Sequence, residues 1–522
     1  MPSPPPPSVP PGAGGALASD PAQDLAHDLG AAGYTVDGVA AVLGPVAQAA
    51  LHRESPLPAV RATARSSEPA ATLARLWLLG RPVTRAALDA ALPRCRTEGA
   101  VESGLVQAQG GQRDDEVRPL VDLRPYAADD AHWWLTSDIG ELATRGPLAP
   151  DHVLGIGGAS LTLARWVPRG PVSRALDVGT GCGVQAFHLA RHAEQVVATD
   201  LSARCLAFTA FNVALNRERL GATRVDLRQG SLLEPVEGEL FDLVVSNPPF
   251  VITPRAAGVP AYEYRDGGLP GDDLVRTLVG GLGDVLAPGG TAQLLGNWEL
   301  HAGQTWAERV GSWLPGGLDA WVVQREVQDP AEYAETWARD GGHRPGGPAH
   351  SALIGAWLDD FEARGVEAVG FGVITVRRPL GTSPLLRRYD ELTGPLGGGP
   401  GAPMGQVVVD VLAAHDWLAG HDDAALLQQR LVVAADVSEE RFGRPGDDDP
   451  QVVLLRQGGG LQRGVRAGTA LAGLVGACDG ELVLGQIIGA LAQLLEQPVE
   501  ALTLELVPSV RGLVADGLLR PA

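Results

Sequence analysis

The sequence predicts an α/β fold: a doubly wound, mostly parallel sheet of seven strands, with α+β winged-helix-like units before and after it. Three observations predict it. Between residues 172 and 377, short apolar runs alternate with helical patterns, as strands joined by crossover helices do. The first run leads into a glycine-rich turn, LDVGTGCG at 176–183, and the second ends in an acid, Asp200. On both sides of this stretch, helix-turn-helix patterns are followed by strand-like segments.

In chain order, residues 1–20 carry neither a basic nor an apolar leader pattern and are expected as a disordered tail. Residues 21–150 are expected as a helical, winged-helix-like domain. Residues 22–51 are alanine-rich at helical spacing, 73–79 form a second helix, and Pro82 and Thr84 open a third with Thr84 as cap. Residues 100–106 and 116–124 then read as a helix end and two strands around a polar turn. A small helical cap for the next domain is the alternative reading. His132, Trp133 and Trp134 are expected as a buried anchor rather than a stacking platform for bases.

Residues 151–379 form the expected central domain. Its strands are 174–178, 195–199, 225–228, 241–245, 291–295, 321–323 and 371–376. An insertion at 328–369, helical at 333–339 and 353–361, is expected at one edge of the sheet. Residues 151–160 lead into a helix at 161–167, with His152 an ordinary polar residue. A glycine- and proline-rich linker, 380–403, leads to an α+β domain at 404–522. There 431–433 and 451–455 read as strands and 468–518 as a second winged-helix-like unit around a helix at 483–495.

Composition removes several function classes. All 41 basic residues are arginine, so a Walker A loop, a protein-kinase strand lysine and a Schiff-base lysine are excluded. Cys95, Cys182, Cys205 and Cys478 stand far apart with no ligand spacing, which predicts no zinc site, no disulfide framework and a reducing, cytoplasmic location. No apolar run has the length of a membrane span. The net charge of −21 opposes wide contact with phosphates, although Arg377, Arg378, Arg387 and Arg388 can form a local patch. The acidic run 447–449 reads as a solvated loop.

The glycine turn carries the first chemistry. Gly179, Gly181 and Gly183 permit a tight turn that brings backbone N–H groups close to a ligand at a helix start. A dinucleotide fingerprint needs glycine at 184, where Val184 stands, so nicotinamide and flavin readings weaken. Asp177 can face a cationic ligand end. Asp200 lies where an acid binds ribose hydroxyls.

In this order of strands and motifs, residues 151–379 resemble the class I S-adenosylmethionine-dependent methyltransferases, which have a Rossmann-like sheet. The resemblance implies S-adenosylmethionine as cofactor, held by Asp177, Gly179, Thr180, Gly181, Gly183, Asp200 and Leu201, and by Ser231 and Leu232 after the third strand. The family often has an acid there; Ser231 implies a weaker contact. Asn247 is implied at the same pocket.

The fourth strand runs into Asn247, Pro248, Pro249 and Phe250. Two prolines stiffen the backbone and remove two donors, leaving carbonyls and the Asn247 amide oxygen as acceptors. A planar NH2 group offers two in-plane donors, and an aromatic ring such as Phe250 stacks on its face. The motif resembles that of N-methyltransferases acting on exocyclic base amines or glutamine amides. Phe250 resembles the small-domain ribosomal RNA enzymes, whereas Gly267, Gly268, Gly271 and Asp272 resemble a glycine stretch of the glutamine enzymes. The expected acceptor is a base amine, in RNA; the alternatives are a glutamine amide in a protein of translation and a non-catalytic scaffold. Neither a metal nor a membrane is expected.

Overall fold

The computed structural model describes residues 21–140, 148–256, 259, 262–343, 346–381, 385–396, 403–445 and 450–522. The expected tail at 1–20 and the acidic run at 447–449 lie outside them. The chain divides into two compact units. One comprises Met1–Leu161, Pro171–Pro315 and Val327–Phe371; the other comprises Thr162–Gly170, Gly316–Glu326 and Gly372–Ala522.

The sheet strands are β1 (Val172–Val178), β2 (Ala193–Asp200), β3 (Arg224–Gln229), β4 (Phe241–Ser246), β5 (Leu286–His301), β6 (Asp319–Gln328), β7 (Val366–Arg377) and β8 (Arg387–Glu391). Their order is β8-β6-β7-β5-β4-β1-β2-β3. The sheet therefore has eight strands rather than the expected seven. The extra one, β8, pairs parallel to β6 at an edge, and its RRYDE sequence carries no apolar run by which to read it. In the first unit β1 runs parallel to β2 and β4, β2 to β3, and β4 to β5. Parallel strands are covered on both faces. Accordingly Val196, Val197, Ala198, Val244 and Val245 are fully buried. The strand order reverses between β1 and β4, and in such sheets ligands bind outside the carboxyl ends at that reversal.

The helices that matter here are α1 (Val184–Leu189), α2 (Ala203–Leu215), α3 (Asp273–Val285), α4 (Trp306–Gly311), α5 (Pro330–Asp340) and α6 (Pro348–Arg364). Leu274, Leu278 and Leu282 of α3 repeat every four residues and are buried. Helices α5 and α6 are the expected insertion, but they do more than border a sheet edge. Tyr333, Ala334, Ala338, Leu353, Trp357 and Phe361 form one apolar cluster with Val251 and Ile252. Their i, i+4 spacing gives each helix an apolar face, and the segment after β4 supplies what that face covers.

Ahead of the sheet, the predicted Thr84 cap is present, its hydroxyl accepting the Ala87 N–H at 3.3 Å. The stretch 116–124 is not one strand. It breaks after Glu116–Pro119, and Asp122–Ala128 begins a separate hairpin with Ala131–Ser137. Trp133 and Trp134 in that hairpin are buried, and the Trp134 indole donates to the Tyr34 carbonyl at 2.6 Å, as an anchor does.

In the second unit, Arg430–Val433 pairs antiparallel with Asp479–Val483 and Leu519–Pro521, while Val437–Phe442, Val452–Gln457 and Gly464–Ala467 form another antiparallel sheet. Thr469–Gly476, Leu484–Leu494 and Val499–Ala515 supply its helices. The expected arginine patch is not a free cationic surface. Arg377 pairs with Asp319 and Asp416, Arg388 with Asp390 and Asp516, and Arg387 donates to the Leu318 carbonyl. Asp319, Asp416 and Asp516, brought in from distant sequence positions, join Asp390 in neutralising Arg377 and Arg388.

Candidate functional site

Strand β1 ends at Val178 and the chain turns through Gly179, Thr180, Gly181 and Cys182 into α1. Gly179, Gly181 and Gly183 have φ of 73°, 59° and 95°, the left-handed region that glycine adopts without strain. A side chain added at Gly179 or Gly181 would meet nothing within 4 Å, so open space lies over the turn. At Gly183 it would come within 3.1 Å of Thr209, so this glycine lets α1 and α2 approach closely. Three of the predicted residues thus make one cradle.

Two acids hold the cradle. Asp177 is buried, and one of its oxygens accepts the Thr180 hydroxyl at 2.7 Å and the Ala186 N–H at 3.0 Å. Burial pushes its pKa up to about 7. The Asp200 carboxylate at the end of β2 accepts the Gly181 N–H and the Ser202 N–H, each at 2.9 Å, and burial raises its pKa too. Each carboxylate oxygen retains lone-pair capacity beyond these bonds. Leu201 beside it is exposed. Ser231 and Leu232 follow β3, where the Gly230 N–H donates to the Asp200 carbonyl and Leu232 has φ of 47°. The strand ends therefore bring together Asp177, Gly179, Thr180, Gly181, Gly183 and Asp200, with Leu201, Ser231 and Leu232 beside them. An open turn next to an acid fits the amino-acid and ribose portions of S-adenosylmethionine.

The segment before the sheet is latched near this cradle. Arg204, in the first turn of α2, pairs with Asp138 and donates to the Asp151 carbonyl, and the Val153 N–H donates to Asp138 at 2.7 Å. His152 is buried with Asp138 at 3.8 Å, and burial lowers its pKa, so the ring is neutral. The Cys182 thiol is pushed by burial up to about 12, and burial raises the Cys205 pKa as well, so neither serves as a thiolate nucleophile.

At the carboxyl end of β4, the Ser246 hydroxyl donates to the Val178 carbonyl at 2.8 Å, tying the two strands at the order reversal. Asn247 follows. Its Oδ1 is buried and has no hydrogen-bond partner among the described residues. Such an oxygen costs about 1–3 kcal/mol until a donor reaches it. Phe250 bridges antiparallel to Asp266 and meets Trp337 edge to face, with ring centroids 6.4 Å apart.

The glycine stretch that follows is structural. The Gly268 N–H donates to Asp266, a side chain at Gly267 would collide with Leu274, and Asp272 takes a two-pronged bond from Arg309. Buried Glu299 joins that pair through Arg309 and Arg364.

Sequence reasoning missed Arg265, Tyr333, Trp337 and Trp357. Arg265 is buried and donates to the Trp337 carbonyl at 2.8 Å and to Asp340 at 2.9 Å. The signal available was the i, i+4 pairing of Tyr333 with Trp337 inside an insertion whose partner surface was unknown.

No group of three or more His, Cys, Asp or Glu among the described residues can hold a metal ion, and no single described helix is long and apolar enough to cross a membrane.

Comparison with known proteins agrees with this geometry. Residues 155–259 match the methyltransferase small domain. Residues 31–120 and 410–521 match two domains of unknown function, DUF7059 and DUF7782. A release factor glutamine methyltransferase of Moorella thermoacetica is 37% identical over 147 residues, covering 26% of this chain and 50% of its own. The protein of the same name from Geobacter sulfurreducens is 41% identical over 139 residues, covering 25% and 45%. A ribosomal RNA small subunit methyltransferase C of Alcanivorax borkumensis is 34% identical over 131 residues, covering 25% and 34%. The chain thus spans half or less of the length of these relatives. The glycine cradle, its acids and the matched segment together identify the central domain as a class I S-adenosylmethionine-dependent methyltransferase domain.

Proposed function

We propose that this chain methylates a planar NH2 nitrogen, and that its acceptor is a glutamine side-chain amide in a protein of translation. The observation that carries the reaction type is Asn247 Oδ1, a buried acceptor without a partner at the carboxyl end of β4. When bound, S-adenosylmethionine supplies a sulfonium methyl group and leaves as S-adenosylhomocysteine. Asp200 and the glycine cradle would hold the ribose and amino-acid portions, with Leu201, Ser231 and Leu232 beside the nucleoside, while Asp177 clamps the cradle through Thr180 and Ala186. Asn247 Oδ1 and the Pro248 carbonyl accept the two N–H donors of the acceptor, Pro249 keeps the turn rigid, and Phe250 packs on its flat face. This would hold the nitrogen lone pair toward the methyl group that the cofactor would donate, with its sulfur as the leaving group. The nitrogen gives up its proton to water afterwards, so catalysis comes mainly from positioning.

The glutamine acceptor is supported by the relatives named release factor glutamine methyltransferase, by the net charge of −21, and by the pairing of Arg377 and Arg388 with carboxylates. A second reading, an exocyclic base amine in RNA, is favoured by Phe250 in the fourth motif position, by the relative named for ribosomal RNA, and by the helix-turn-helix patterns of the flanking sequence. Both substrates belong to the translation machinery, and a cytoplasmic location suits both.

The test incubates the full-length protein and methyl-labelled S-adenosylmethionine with a lysate lacking the native gene, followed by nuclease or protease. Label that survives nuclease and passes into peptides on proteolysis supports the glutamine amide. Label destroyed by nuclease moves the assignment to the base amine. No transfer to either pool contradicts an enzymatic role and leaves a scaffold.

A further inference from the structure

The inserted helices reach the backbone of the acceptor motif itself. Ile252 lies two residues past Phe250 and is fully buried. Its N–H donates to the Tyr333 hydroxyl of α5 at 2.9 Å, and its carbonyl accepts the Trp357 indole N–H of α6 at 2.9 Å. Both polar groups of one backbone residue are thus held by side chains from two different inserted helices. The preceding residue is fixed too, since the Val251 N–H donates to the Arg265 carbonyl at 2.8 Å. Arg265 in turn donates to the Trp337 carbonyl and to Asp340 of α5.

The same Tyr333 hydroxyl accepts from Asn297 Nδ2 at 3.0 Å. Asn297 lies on β5, where Leu294 is level with Ser246 of β4, so Asn297 stands beyond the end of β4 on the neighbouring strand. It is 1% exposed, and its Oδ1 has no partner among the described residues. Burial raises the Tyr333 pKa, so its hydroxyl stays protonated.

A peptide held at both of its polar groups loses the local freedom a loop normally has. An aromatic ring two residues away keeps its place only if that peptide does. Displacement of a reacting group by about 1 Å costs on the order of 100-fold in rate.

We propose that the inserted helix pair is the acceptor-positioning element of this enzyme: Tyr333 and Trp357 are positioning residues that fix Ile252, and through it Phe250, against the acceptor. This rests on the N-methyltransferase reading but holds for either acceptor. It also explains why one insertion carries a tyrosine and a tryptophan whose polar atoms both point at one backbone residue.

The test uses the full-length protein, methyl-labelled S-adenosylmethionine and whichever lysate fraction, protein or RNA, the wild type labels. Tyr333→Phe and Trp357→Phe remove the hydroxyl and the indole N–H while keeping a ring. Leu278→Ala is the control, because Leu278 is fully buried on α3, outside the inserted helix pair. Maximal transfer rate, dependence on fraction concentration, cofactor affinity by calorimetry and Tm are measured for each. Tyr333→Phe and Trp357→Phe are expected to lower the maximal rate by at least about 10-fold with cofactor affinity within about 2-fold, as misplacement of the acceptor requires. Leu278→Ala is expected to lower Tm at least as much while keeping the rate. Full rate in both ring-preserving variants overturns the proposal, as does rate loss that merely follows Tm across all three. If the wild type labels neither fraction, the N-methyltransferase reading fails and this proposal with it. If the wild type labels one and the variants do not respond, only this proposal fails.

Discussion

The Asp200 carboxylate accepts the Gly181 N–H at 2.9 Å, so the acid at the end of the second strand fixes the middle glycine of a turn 19 residues before it. One side chain therefore shapes the cradle, and in the proposed site the same side chain takes the ribose hydroxyls. A charge-assisted hydrogen bond contributes about 1.5–3 kcal/mol. Asp200→Ala is expected to raise the Kd for S-adenosylhomocysteine by at least about 10-fold in calorimetric titration, since it removes such a bond to the ligand and loosens Gly181. An unchanged Kd would take the ribose contact away from Asp200.

Asp177 gives a pH signature. Its ordinary value is 3.8 and burial pushes it up to about 7, so the folded protein binds this proton more tightly than the unfolded chain. The stability contributed by that proton falls as pH rises between these two values and is level above them. Asp177→Asn keeps an oxygen for Thr180 and Ala186 but cannot ionise. The Tm of Asp177→Asn minus that of the wild type is therefore expected to grow from about pH 4 to about pH 7 and then level off in thermal unfolding. A difference that stays constant with pH would show that Asp177 is ionised throughout.

Gly183 separates packing from ligand contact. An added Cβ would sit 3.1 Å from Thr209 at a φ of 95°. Gly183→Ala is expected to cost at least about 1 kcal/mol of stability, because L side chains strain in the left-handed region and the neighbour must also give. Chemical denaturation measures it; an unchanged midpoint would contradict the close approach of α1 and α2.

Asp272 tests the glycine stretch. Its carboxylate is 2% exposed and takes two bonds from Arg309 and one from the Glu299 N–H. Arg309 is 22% exposed and keeps Glu299, so the loss of Asp272 chiefly strands the buried Glu299 N–H, a cost of about 1–3 kcal/mol. Asp272→Ala is expected to lose stability on that scale in denaturant unfolding, with the remaining folded protein binding S-adenosylhomocysteine normally. Intact stability with lost binding would instead assign Asp272 to the ligand.

Much of this was legible in the chain. The parallel strands announced themselves because burial on both faces requires continuous runs such as Val196, Val197 and Ala198. The glycine turn, Asp200 and Asn247 were legible because their spacing follows from strand ends. Strand β8 was not, since an edge strand built on Arg387, Arg388 and Asp390 has no apolar pattern. The hairpin at Asp122–Ala128 was merged with the strand before it, because nothing local marks a change of sheet at Leu120 and Val121. The pairing of Arg388 with Asp516 and the clamp of Tyr333 on Ile252 join residues far apart in sequence, which neither periodicity nor spacing can report.

The most direct test of the account measures methyl transfer and S-adenosylhomocysteine affinity on the same preparations of wild type and Asn247→Ala. If Asn247 Oδ1 accepts the substrate amine, transfer falls by at least about 100-fold, as loss of a positioned acceptor does, while the Kd stays within about 3-fold. Equal loss of transfer and affinity, or full transfer by Asn247→Ala, would contradict it.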